Sequence, residues 1–142
     1  MFGNLYGYID HQGNTVIPAI FRDAGQFAEG LASVTKADGE KGYIDKAGRF
    51  VIRLASGRGG QFNDGLATLA VEINGPTKMG YIDRTGKTII EPRFDVAYDF
   101  VDGIAEVYFS EKVTSAAGPV TQTGHGYIDK RGRFIWRSHY RS

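Results

Sequence analysis

The sequence predicts an all-β protein, a short open, solenoid-like stack of tandem three-stranded antiparallel meanders. Three observations carry that reading. The tetrapeptide Gly-Tyr-Ile-Asp occurs four times, beginning at Gly7, Gly42, Gly80 and Gly126. A glycine follows each motif Asp by three residues (Gly13, Gly48, Gly86, Gly132), and an apolar pair comes soon after: Val16-Ile17, Val51-Ile52, Ile89-Ile90 and Phe134-Ile135. The copies start 35, 38 and 46 residues apart, within the roughly 20–50-residue periods of stacked and radial arrays. A small β-propeller is the alternative architecture, but three full units and a fraction fit a closed ring poorly. The 142 residues therefore read as one repeat domain, with units at about 7–41, 42–79 and 80–125 and a partial unit at 126–142.

Each unit opens with a strand rich in Tyr and Ile that ends at the motif Asp. Asp-x-x-Gly is a tight-turn signal: the Asp accepts backbone N–H groups ahead of it, and the Gly takes positive φ. A second strand starts near residues 15, 50, 88 and 134. Next comes Phe-x-x-Ala-x-x-Phe (Phe21, Ala24, Phe27; Phe94, Ala97, Phe100). Its spacing of three predicts a tight turn or a short 3₁₀ piece that wedges two rings between meanders. The second unit keeps only the last of these residues, Phe62, with Arg53, Ser56 and Gly59 in place of the Pro, first Phe and Ala.

The third strand carries Leu-Ala-x-Val or its equivalent. Ala32 and Val34 share one face, as do Ala67, Leu69 and Val71, and Ala105, Val107 and Phe109. Connections back to the next motif are Ala37-Asp38-Gly39, then Asn74-Gly75-Pro76-Thr77, then a long loop at 110–123. The fourth copy is read as truncated after Ile135. A lone three-stranded unit is marginal in water, so stacking has to make the core.

The pattern Gly-Tyr-Ile-Asp-x-x-Gly-x-x-Val-Ile-Pro-x-x-Phe-x-x-Ala-x-x-Phe-x-Glu-Gly-Leu-Ala-x-Val, seen whole in the first unit, resembles the WG-type β-repeat (WG containing repeat) common in bacterial proteins. The resemblance covers roughly 6–107 and 124–135. Where that family places its namesake Trp, before the motif Gly, this chain has Tyr6, Lys41, Met79 and His125. The resemblance implies a repeat module without catalytic machinery that mediates interactions.

Composition narrows the classes further. With 42% hydrophobic and 13% aromatic residues and a net charge of +1, the chain lacks the signature of disorder. It has no Cys, which excludes disulfides and thiolate metal sites. No signal-like start is visible, and no apolar run nears the ~18 residues a membrane helix needs. The expectation is a soluble, cytoplasmic chain.

Four sets of residues invite a chemical reading. Asp10, Asp45, Asp83 and Asp129 are carboxylates of the kind that serve in acid–base work, but fourfold Asp-x-x-Gly favours turn capping. His11, His125 and His139 show no metal-ligand spacing; no metal and no cofactor is expected. Ser56-Gly57-Arg58-Gly59-Gly60 has the composition of a phosphate cradle, yet no helix or Gly-Lys-Thr follows, so it reads as a degenerate, more mobile connector. Lys130, Arg131, Arg133, Arg137 and Arg141 form a basic, aromatic-interleaved end. Such an end suits nucleic acid, but on a β edge it more often guards against strand pairing.

The functional expectation is a non-enzymatic module that binds a protein partner. A narrower alternative is an immunity-type inhibitor of a bacterial toxin, and the remaining one a carboxylate-dependent hydrolase. Because packing alone does not require the irregular parts, the partner-binding residues are placed at Arg58, Lys112, His125, Trp136 and Tyr140. Oligomeric state is not legible.

Overall fold

The computed structural model describes residues 5–140, with side chains as far as residue 138. Among the described residues there is strand, turn and irregular backbone but no helix. Strands β1 (Tyr6–Ile9), β2 (Thr15–Ala24), β3 (Ala32–Lys36), β4 (Lys41–Ile44) and β5 (Phe50–Leu54) pair in chain order as one antiparallel sheet. A second sheet contains β6 (Arg58–Gly59), β7 (Leu66–Glu72), β8 (Thr77–Asp83) and β9 (Thr88–Phe94). The third contains β10 (Val96–Ala97), β11 (Ala105–Ser115), β12 (Gly118–Ile128) and β13 (Phe134–Tyr140). None of the three closes on itself, so the array is open and solenoid-like.

The last two sheets begin in a connector and end with the hairpin of the following motif copy, half a repeat out of phase with the motif. The motif strand explains this. Neighbouring strand residues point to opposite faces: Ile44 packs with Ile17, Phe21 and Val34, while Tyr43 packs with Ile52, Phe62 and Leu69. Ile82 then joins the core that holds Tyr43, and Ile128 the core that holds Tyr81. Each motif strand is thus the wall between two consecutive cores. Its glycine is required by a close approach: a Cβ at Gly42 would overlap the carbonyl oxygen of Ile52 across the hairpin, where the register slips by a bulge.

The motif Tyr fastens its own connector. Tyr8, Tyr43 and Tyr81 donate their hydroxyls to the carbonyls of Gly25, Gly60 and Tyr98 at 2.6, 2.5 and 2.6 Å. Two residues beyond each carbonyl, Phe27, Phe62 and Phe100 meet the same rings edge-on at 4.8, 4.9 and 4.7 Å. Burial, reinforced by Asp99, pushes the hydroxyl pKa values of Tyr43 and Tyr81 well above the ordinary range.

The connectors are extended rather than 3₁₀, a correction to the sequence reading. Asp23 and Ala24 pair with Thr35 and Val34, and Ala97 with Val107, so cross-strand partners take the backbone groups a 3₁₀ turn would use. Each connector then reverses through two residues of positive φ: Glu29-Gly30, Asp64-Gly65 and Asp102-Gly103. That is the type I′ geometry suited to a tight hairpin.

The Asp-x-x-Gly turns form as expected. Gly48 has φ 86°, and Asp45 Oδ1 accepts the N–H groups of Ala47 and Arg49 at 2.9 and 3.0 Å. Asp10, Asp83 and Asp129 do the same in their turns. These bonds, foremost the one from Arg49, hold the Asp45 pKa below its usual value. A carboxylate whose pKa is lower folded than unfolded stabilises above the unfolded pKa and loses that contribution as pH falls through the folded one. Asp45→Ala should therefore lower the melting temperature by a few degrees at neutral pH. The gap to the parent should close as pH drops below about 4. A gap that persists undiminished in acid would show that turn capping is not what Asp45 contributes.

Two further readings are corrected. The segment 110–123 is not a loop: β11 and β12 continue through it in unbroken register from Ala105↔Ile128 to Ser115↔Gly118. The fourth copy also does not stop at Ile135. Strand register aligns Tyr127 with Trp136 as it aligns Tyr8, Tyr43 and Tyr81 with Ile17, Ile52 and Ile90. The equivalent apolar pair is therefore Ile135-Trp136; Tyr140 follows Trp136 by four residues as Phe21 follows Ile17, but it pairs with Thr123, whereas Phe21 pairs with Tyr6 just before the motif.

Candidate interaction face

Successive sheets are joined by contacts that repeat with the motif. The turn glycines Gly48, Gly86 and Gly132 sit against the side chains of Ile17, Ile52 and Ile90, one unit earlier. Glu29 accepts the N–H of Gly65 at 3.0 Å, and Asp64 that of Gly103 at 2.6 Å. This accounts for acidic residues at a positive φ that most side chains avoid, because their carboxylates staple one hairpin turn to the next. Arg84 and Lys130 reach back further, to the Glu29 carbonyl at 2.9 Å and to Asp64 at 3.1 Å.

At the third sheet the covering stops. Ala105, Val107 and Phe109 of β11 point into the core, so Glu106 and Tyr108 point outward, with Lys112 on the same alternation further along the hairpin. Across from them stand His125 and Tyr127 of β12, then Trp136 of β13. Tyr108 stacks on His125 at 5.0 Å, and His125 Nε2 lies 2.7 Å from Glu106 Oε2. The Trp136 ring meets His125 at 5.6 Å and Tyr127 at 6.0 Å. The result is a held aromatic patch with a carboxylate in it and a cation at its margin. In the earlier units the positions of Glu106 and Tyr108 hold Ser33 and Thr35, then Thr68 and Ala70.

Three of the five residues singled out from the sequence, Lys112, His125 and Trp136, thus share one face. Tyr140 ends β13, its backbone opposite Thr123; its side chain lies outside the described residues. Arg58 is elsewhere, in β6 on an open groove of about 530 Å³ with Asp23, Thr35 and Gln61, and does not join the patch. The glycines around it are tightly packed: a Cβ at Gly59 would strike the Tyr43 ring and hydroxyl. Their abundance reflects close approach rather than a slack connector. Sequence reasoning missed Glu106, Tyr108 and Tyr127, although placing Val107 and Phe109 inward already turned Glu106 and Tyr108 outward.

Other chemistry weighed from the sequence is occupied structurally. The motif aspartates sit in separate turns with their amides. Among the basic residues of the C-terminal part, Lys130 pairs with Asp64, Arg133 with Asp129, and Arg137 with Glu111 while lying over Phe134; Arg141 lies outside the described residues. Among the described residues no group of three or more His, Asp or Glu is placed to hold a metal ion, and no helix is long and apolar enough to cross a membrane.

Comparison with known proteins agrees with this geometry. No curated protein and no solved structure matches the chain. The family described as the WG containing repeat matches at residues 6–39 and 79–112, the two stretches that keep the whole consensus. The same Tyr–carbonyl bond, Tyr–Phe contact and Asp-x-x-Gly turn recur in the copy between them, so the two stretches similar to the WG containing repeat flank a third copy of the same unit.

Proposed function

We propose that the chain is a non-enzymatic repeat module that binds a protein partner through the outward face of β11, β12 and β13. The observation that carries this reading is the contrast between copies. The motif Tyr and its cross-strand neighbour are buried in the middle units, whereas Tyr127 and Trp136 are exposed beside Tyr108, His125 and Glu106. Trp and Tyr are over-represented at energetic hot spots, and a repeat module similar to that family is compatible with an interaction role.

The test is affinity capture from the native host with the parent chain and a variant combining Trp136→Ala and Lys112→Ala. Captured partner should fall at least about tenfold, or about 1.4 kcal/mol, in a variant whose circular dichroism is unchanged. Undiminished capture, together with loss of capture on changing Arg22 or Lys46 in the first units, would place the binding face at the other end.

A further inference from the structure

The groove beside Arg58, where the first two sheets meet, is lined by polar groups that the fold does not use. It measures about 530 Å³, within the range of small-molecule sites. The first unit supplies Asp23, Gln26, Ser33 and Thr35, and the second supplies Arg58 and Gln61. Asp23 and Arg58 hold the same place in consecutive copies, two residues before the carbonyl that accepts the motif Tyr. Gln26 and Gln61 each stand one residue after that carbonyl. None of these six side chains makes a hydrogen bond or ion pair with any described residue, although a carboxylate and a guanidinium share the groove.

Thr35 forms part of the floor. Val34 points into the first core, so Ser33 and Thr35 point the other way, toward the groove. Thr35 is only 9% exposed, yet its hydroxyl has no partner among the described residues and stays open to the groove. A polar group held mostly out of water without a partner costs stability, and a donor or acceptor on a ligand removes that cost.

The arrangement is particular to this seam. Gly59 and Gly60 carry no side chains where the third unit has Ala97 and Tyr98. At the next seam Val96 stands for Arg58, and Ala70 for Thr35.

We propose that this groove binds a small zwitterion, an α-amino acid or a short unblocked peptide, with its carboxylate on Arg58 and its ammonium group on Asp23. A guanidinium takes a carboxylate through paired N–H donors, and a carboxylate takes an ammonium group through charge-assisted bonds. Gln26 and Gln61 each offer donors and an acceptor, which suits peptide N–H and C=O groups. The Ser33 and Thr35 hydroxyls serve either kind of group. A simple anion would meet Asp23, and a simple cation Arg58. A nucleobase finds no aromatic ring among the lining residues to stack on. The site is separate from the β11–β13 face and independent of the function proposed for that face.

The probe is triglycine added to the full-length chain and followed by amide NMR shifts. Saturable shifts at the Thr35, Gly59 and Gly60 amides are expected within ~10 mM peptide. Triglycine amide lacks the carboxylate and N-acetyltriglycine lacks the ammonium group. Each should bind at least about tenfold more weakly, 1.4 kcal/mol. Arg58→Gln should cause the first loss for triglycine itself and make amidation costless, and Asp23→Asn should do the same for acetylation. Both residues are exposed, so both variants keep the fold, which circular dichroism checks. Thr35→Val, which leaves the charges in place, should weaken binding several-fold. Free glycine titrated in parallel tells an amino acid from a peptide as the source of the zwitterion. The proposal is overturned if no saturable shift appears by ~10 mM, if N-acetyltriglycine amide binds as well as triglycine, or if Thr35→Val binds as well as the parent. It is overturned equally by acetylation that costs nothing, which would leave a plain anion site, and by tighter binding of a neutral sugar such as maltose.

Discussion

Phe62→Ala is expected to destabilise the chain by about 3–5 kcal/mol, as for a large aromatic removed from a site that cannot collapse around the cavity. Phe62 is fully buried. It meets Tyr43 edge-on and belongs to a core with Leu31, Ile52, Ala67, Leu69 and Ile82. That core is the seam between the first two sheets, with Tyr43 and Ile52 on one side and Ala67, Leu69 and Ile82 on the other, so the cavity opens that seam from within. Phe27, only partly buried against Tyr8 at the start of the array, should lose clearly less on the same substitution. Urea unfolding of the two variants under identical conditions measures both. If Phe62→Ala proves no worse than Phe27→Ala, the middle core does not join its neighbours in the way described.

The repeat, the turns and the strand character of the motif were legible because each has a strong local chemical cause. Asp-x-x-Gly fixes its turn through the carboxylate and the positive φ, whatever the rest of the chain does. The sheet boundaries were not legible, because they depend on Tyr and Ile facing two different cores, and a tetrapeptide does not say what lies on either side of it. The segment 110–123 was read as a loop because its residues are mostly polar on both faces, so alternation carries no signal there. What makes it a hairpin is main-chain pairing along β11 and β12 and a turn at Gly118, φ 111°. Trp136 falls outside the repeat only when the apolar pair is taken one residue early; three and four residues after the turn glycine, as in the other copies, stand Ile135 and Trp136, and strand register agrees. At the site, the irregular fourth copy pointed to Lys112, His125 and Trp136, while Arg58 was grouped with them on composition alone.

A fragment of residues 1–107 is expected to stay folded over its first two sheets while losing the third. The core of Ile17, Phe21, Ala32, Val34 and Ile44, and the core around Phe62, draw every buried member from residues before 83. The third core loses Phe109 and Ile128, and with them the cover over Tyr81, Phe94 and Phe100. Stability in an open array is a sum of unit and nearest-neighbour terms, so removing one end takes away one seam and leaves the others. In urea the fragment should unfold at lower concentration, with an m-value reduced by about a quarter in line with the smaller surface exposed. Amide exchange should keep β4, β7 and β8 protected while β10 and the remaining start of β11 become labile. Were the array held together as a closed ring, the same cut would break every seam at once. A fragment without β signal by circular dichroism would therefore count against the open stack.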